Sequence, residues 1–160
     1  MSDKMRWRYG ETNPVMAPVS IAQIEIGDLL YWEDNVAKPA SGHVTTGAIG
    51  TVQNNFAARF LGVAMQRSGA GETLPIRVAT TGIFEFESNP ATYEIGGLVT
   101  VVMATGATTL DNQKVGATMS ALSAIARVAR REPVAAASVL VSISSTVMQG
   151  GVRGTTHGAT

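Results

Sequence analysis

Between Arg59 and Glu87 the apolar side chains recur with a period of two, and no helical spacing of three and four runs through them. Phe60 to Met65 is an apolar run, and Ser68-Gly69-Ala70-Gly71-Glu72 is built of turn formers that tolerate positive φ. Leu74, Ile76 and Val78 then alternate with Thr73 and Arg77. Thr81-Gly82 breaks the chain again, after which Phe84 and Phe86 alternate with Ile83, Glu85 and Glu87. The pattern predicts three short strands in a meander. Its apolar faces require a second layer to cover them.

A weaker copy of this unit lies towards the C-terminus. Ile95-Gly96-Gly97-Leu98-Val99 echoes Ile26-Gly27-Asp28-Leu29-Leu30 at an offset of 69 residues. Ala124 to Ala129 echoes Arg59 to Ala64, and Val139 to Ile143 falls where Leu74 to Val78 would repeat, both at an offset of 65. Two copies are too few for a solenoid. They predict an all-β domain, a small barrel, tulip-like or sandwich fold, made of two related halves at about 21–90 and 91–148.

That domain spans 19–148, flanked by an extended N-terminal arm over 1–18 and a mobile Gly/Thr-rich tail over 149–160. The arm has no period of either kind. It carries Arg6, Trp7, Arg8 and Tyr9 ahead of Pro14 and Pro18, which hold a chain extended. A plain tail is one reading. A docking arm is the other, because Trp, Tyr and Arg are the side chains enriched at interface anchors. Those four residues are the candidate partner-binding set, and on that reading a chain lacking residues 1–12 still folds.

Elsewhere the pattern is less regular. Glu33-Asp34-Asn35 reads as a tight connection between strands at 28–32 and 36–37, and 43–55 as a Gly- and Thr-rich loop. Ser88-Asn89-Pro90 reads as a turn before a strand over 93–104, and Asp111-Asn112 as the polar tip of the next turn. For 117–131 the alanines favour helix, whereas the repeat favours strand from Ala124; the repeat decides, with a helical turn left open at 118–122.

Charge and composition exclude several function classes. Lys plus Arg and Asp plus Glu are 12 each, and residues 19–100 carry four basic against eight acidic side chains, so no basic field favours nucleic acid or an anionic membrane. Cysteine is absent, which removes disulfides, zinc–thiolate sites and thiol nucleophiles. No apolar run reaches membrane-spanning length and the first twenty residues lack a signal-peptide core.

Chemistry-bearing patterns are few. Gly69-Ala70-Gly71 has no following Gly-Lys-Ser/Thr and reads as a hairpin turn rather than a phosphate loop. His43 and His157 are the only histidines, too few for a metal set, and no Gly-x-Ser-x-Gly elbow exists. Glu85 and Glu87 share a strand face as solvation or edge protection rather than an acid–base pair. Arg127, Arg130 and Arg131 form the one basic cluster and lack aromatic interleaving. Tyr31-Trp32 is the one possible stacking platform, though alternation leaves at most one of the two facing solvent. No cofactor is implied.

The order Gly27-Asp28-Leu29, Leu61-Gly62-Val63-Ala64, Ala70-Gly71-Glu72 before a Val/Ile-rich strand, and Gly82 entering the next strand, with the C-terminal echo, resembles the capsid cement (decoration) proteins of tailed bacteriophages. The likeness runs from about Ile21 to Val147. It departs from the family's pattern where Ala126-Arg127 replaces Leu-Gly in the second half, and where Pro75 interrupts a strand. The resemblance implies a non-enzymatic β-domain on the outer surface of the virion. It would bind the major capsid protein and itself as a homo-oligomer, with a trimer as first expectation. A head–tail or tail structural protein is the alternative, and a β-barrel ligand- or sugar-binding module a weaker one.

Overall fold

The computed structural model describes residues 3–152. Eleven strands are found among them: β1 (Trp7–Tyr9), β2 (Val15–Ala17), β3 (Leu29–Glu33), β4 (Val36–Pro39), β5 (Phe60–Ala64), β6 (Ile76–Ala79), β7 (Thr81–Tyr93), β8 (Leu98–Met103), β9 (Leu110–Thr118), β10 (Ala126–Val128) and β11 (Glu132–Ser144). Two α-helices, α1 (Ile49–Ala58) and α2 (Thr146–Gln149), and a 3-10 turn at Ala40–Gly42 accompany them. The chain is all-β in character, as its alternation predicts.

The strands form two sheets, in the orders β2-β6-β5-β3-β4 and β1-β7-β11-β10-β8-β9. With β1 set aside, the two orders are the same. Each half runs through one strand (β2 or β7), a hairpin (β3–β4 or β8–β9) and a second hairpin (β5–β6 or β10–β11). The second sheet closes into a five-stranded barrel, because β7 pairs in parallel with β9 through Glu87–Lys114 and Ser88–Val115. The first sheet makes the equivalent closure with a single parallel bridge, Val19 to Ala37.

Strand register gives the repeat its true alignment. Leu30 pairs with Gly62, and Val99 with Ala126. Ala64 pairs with Val78, and Val128 with Val141. Val15 pairs with Val78, and Phe84 with Val141. Val15 therefore corresponds to Phe84 and Leu30 to Val99, both 69 residues apart, as expected for the Ile26 and Ile95 segments. For the later strands the expected offset of 65 is corrected: Ala64 corresponds to Val128 and Val78 to Val141. The missing Leu-Gly is thus Ile125-Ala126, and a side chain is admissible at Ala126 where none is at Gly62. A Cβ on Gly62 would lie 1.9 Å from the Ala79 carbonyl oxygen. The same alignment moves the boundary between halves from residue 90 to the Thr80–Thr81 junction, since β7 opens the second half.

Directly paired residues share a sheet face. Phe84, Phe86, Val99, Val101, Val115, Ala126, Val128, Val139, Val141 and Ile143 form the buried lining of the second barrel, all within one cluster. Leu30, Leu61, Ala64, Ile76 and Val78, with Ala17, Val19, Ile24 and Ala37, line the first. Between them, α1 presses Val52 and Phe56 against Tyr31 and Phe60 on the other face of the first sheet.

Several local expectations are corrected. The stretch 43–55 is not all loop: α1 begins at Ile49, its Val52, Phe56 and Ala57 buried at helical spacing despite one glycine and two asparagines. Ser88-Asn89-Pro90 does not turn; β7 continues to Tyr93, paired with β11 across two register shifts that accommodate the prolines. The turn that follows is Glu94 to Gly97, so β8 begins only at Leu98. Asp111 and Asn112 lie inside β9, and the turn falls before them. Leu74 is exposed and precedes β6, which starts directly after Pro75. Over 117–131, β9 runs on through Ala117 and Thr118, turns follow at 121–123, and regular strand returns only at Ala126–Val128.

Candidate functional site

The N-terminal residues are part of the fold, not an arm beside it. β1 pairs antiparallel with β7, Trp7 opposite Phe84, and β2 pairs with β6. Before β1, the Lys4 amide donates to the Ile26 carbonyl and the Ile26 amide to the Asp3 carboxylate. Gly27 makes this approach possible. Its φ is +99°, and a Cβ there would sit 2.4 Å from the Lys4 carbonyl oxygen.

Arg6 is only 5% exposed. Its Nε donates to Gln113 Oε1 at 2.8 Å, Nη1 to the Glu85 carbonyl at 3.3 Å, and Nη2 to Glu87 Oε2 at 2.9 Å. The guanidinium carbon stands 5.7 Å from the centroid of the buried Phe86 ring, within cation–π range. Arg6 thereby fills the gap between β7 and β9. Gln113 passes the connection on, its Nε2 donating to the Ile26 carbonyl at 3.2 Å and to Asp28 Oδ1 at 2.9 Å. Asp28 also accepts from the Glu25 amide at 2.9 Å. One buried polar chain, Arg6–Gln113–Asp28, joins the N-terminal segment to both halves. Burial pushes the Asp28 carboxyl up to about 6, because desolvation outweighs the two hydrogen bonds that favour its charged form.

The four residues of the expected partner-binding set therefore separate. Arg6 faces inward and positions the segment. Trp7 is 38% and Tyr9 54% exposed. Trp7 Nε1 donates to the Gly10 carbonyl, which fixes the indole against its own turn. Arg8 lies at the surface, with Nε 3.2 Å from Glu85 Oε1. Trp7, Arg8 and Tyr9 are presented together on a structured strand.

Glu85 and Glu87 anchor that strand. Glu85 accepts from Ser138 at 3.0 Å and from Arg8, which hold its carboxyl below the usual range. Arg127, Arg130 and Arg131 disperse: Arg127 donates to the Gly96 carbonyl, Arg130 to Glu132 and Arg131 to Glu94. His43 is buried edge-on against Tyr31 and Phe56, with Nδ1 2.8 Å from the Val44 carbonyl oxygen. His157 lies outside the described residues. Gly69-Ala70-Gly71 is a turn closed by Glu72, whose carboxylate accepts from the Gly69 amide. Tyr31 is core, and Trp32 packs its ring on the lining of the first barrel.

Sequence reasoning missed a second surface. Val15, Met16, Ala17, Pro18, Trp32, Leu61, Val147 and Met148 line an apolar cavity of about 190 Å³ at the open side of the first barrel. Three strands and a helix bring these residues together: β2 beside β6, Trp32 in β3, Leu61 in β5, and Val147 and Met148 on α2.

The sequence matches no protein-family model, no curated protein and no solved structure.

Proposed function

We propose that this chain is a non-enzymatic structural protein of a phage virion, binding the outer surface of the capsid and cementing its major capsid proteins. The observation that carries this reading is a closely hydrogen-bonded double β-body that leaves large apolar side chains exposed at separate places. Trp7 and Tyr9 lie on β1, Met16 on β2, Leu122 after β9, and Val134 on the β7–β11 ribbon. Scattered apolar residues are ordinary on a surface, but a chain with 15% charged residues has few charges to keep neighbours away. The order of motifs resembling cement proteins supports the same reading.

Mechanically, a clip of this kind adds contact area that must be lost before shell subunits separate. Each contact can be weak, since several engaged at once gain by effective concentration. The body itself must not yield, and the inter-half chain through Arg6, Gln113 and Asp28 supplies that stiffness. Closed cyclic association is the default for a homo-oligomer, and a trimer is the form to test first by light scattering.

The direct experiment mixes the purified chain with expanded shells prepared without it. Saturable, stoichiometric binding to the outer face is the expected result; absence of binding would end the proposal. Cryo-electron microscopy of the virion separates a shell position from a head–tail or tail position.

A further inference from the structure

The internal duplication supplies its own control for an open strand edge. In the second half the outer edge of β7 is covered by β1, with the Glu85 amide donating to the Arg6 carbonyl at 2.9 Å. Glu85 corresponds to Met16, Phe86 to Ala17, Glu87 to Pro18, Val101 to Trp32 and Gln113 to Asn35. Met16 pairs with Arg77, whose own amide and carbonyl are taken by Gln66 and Met65 on the β5 side. The Met16 amide and carbonyl therefore point away from β6, into the place that β1 fills in the other half. No segment among the described residues pairs with them, and Met16 is 59% exposed.

The chemistry of the two edges differs in a way that selects the occupant. Beside β7 stand Glu85 and Glu87, which suit Arg8 of β1 and Arg6 just before it. Beside β2 stand Met16 and Pro18, without charge. Where the Phe86 ring and the Arg6 guanidinium fill the second gap, Ala17 in the first half borders the 190 Å³ cavity, walled also by Trp32, Leu61 and Val147 and Met148 of α2. That volume is below the ~300 Å³ where small-molecule pockets begin, and it suits an apolar side chain carried on a strand. A second copy of β1 is unsuitable, because its arginines would meet Met16 and Pro18.

We infer that the outer edge of β2 is a strand-addition site for an extended segment of another protein, apolar at alternate positions, with one side chain seated beside Trp32 and Leu61. Main-chain bonds to Met16 supply register, and the cavity supplies selection. If the cementing role holds, the segment belongs to the major capsid protein. The inference rests on that reading only for the partner's identity.

The test uses the full chain, Met16→Pro, which removes the outward amide, and Met16→Lys, which keeps the amide but charges the edge. Melting temperatures establish that each folds, and the lysine variant carries the test if the proline variant does not. Shells bound by the parent chain should slow exchange of the Met16 amide at least tenfold, and both variants should bind at least tenfold more weakly. Equal binding by the variants, or an unprotected Met16 amide in the bound chain, overturns the strand site while leaving the cementing role intact. If the parent chain does not bind shells, the cementing role falls. A ten-residue peptide alternating Val and Thr then decides the site. Slowed Met16 exchange, absent with the same peptide carrying Pro at alternate positions, supports it, and no change with either peptide overturns it.

Discussion

In the second half the gap between first and third strands holds the Arg6 guanidinium above Phe86; in the first half Ala17, the counterpart of Phe86, instead borders a cavity shared with Trp32, Leu61 and Val147 and Met148 of α2. The strand order is common to both, so topology does not decide whether such a barrel is sealed. Two side chains do. A phenylalanine on the first strand gives the guanidinium a face to cover, and an acid one residue before and one after it gives the covering strand a charge to meet. With alanine, methionine and proline in those places there is nothing for an arginine to pair with. The lesson is that one duplicated unit can be used once as a closed body and once as an open edge.

Removing residues 1–12 should break this comparison most severely. It unseats β1, empties the second gap and leaves Gln113 and Glu87 without their cation. We expect a loss of about 4 kcal/mol or more, combining a buried charge network with lost strand pairing. A melting curve reads it, and an unchanged midpoint would show that the second barrel seals itself. Phe86→Ala comes next, at about 3–5 kcal/mol by cavity formation. Ala17→Leu at the corresponding position should change stability by less than about 1.5 kcal/mol, because its cavity already exists. Equal effects at the two positions in urea denaturation would contradict the asymmetry.

The third effect is in pH. Asp28 titrates near 6 when folded against an ordinary value of 3.8, so the folded chain holds a proton that the unfolded chain has released over that interval. The contribution of Asp28 to stability should therefore be greatest below about pH 4, fall as pH rises to about 6, and level off above, by at most about 3 kcal/mol. Glu85 acts with the opposite sign, its stabilisation being full above its ordinary value of 4.5 and lost as pH falls below it, so the Asp28 slope stands alone only above about pH 4.5. Asp28→Asn should abolish the slope between about pH 4.5 and 6 in urea titrations. A slope that survives would place its origin elsewhere.

Trp7→Ala and Tyr9→Ala should be the mildest, each under about 1 kcal/mol in stability, because both side chains are largely at the surface. If the cementing role is right, the same substitutions weaken shell binding several-fold. Unchanged binding would remove β1 from the interface and leave the β2 edge as the contact to pursue.

Much of this fold was legible because alternation is a local property. Phe84 and Phe86 announce an inward face by themselves, and the Ile26 and Ile95 turns repeat at their true spacing. What was not legible depends on distant partners. Arg6 reads as a surface arginine beside tryptophan, and only Gln113 and Phe86, remote in sequence, turn it inward. Helix α1 was hidden by Gly47, Gly50 and its asparagines; the Val52–Phe56 spacing was the one available signal. The true register of the second half needed strand pairing, because Ala126 stands where its counterpart is glycine. The β2 edge leaves no trace in composition, since an unpaired amide belongs to the backbone and every residue but proline has one.

Amide hydrogen exchange of the free chain compares the two edges directly. Glu85, whose amide is bonded to the Arg6 carbonyl, should exchange at least a hundredfold more slowly than Met16, its counterpart on β2. That difference should shrink in the chain lacking residues 1–12. A Met16 amide as slow as that of Glu85 in the free chain would contradict the account, for the first barrel would then be sealed as well.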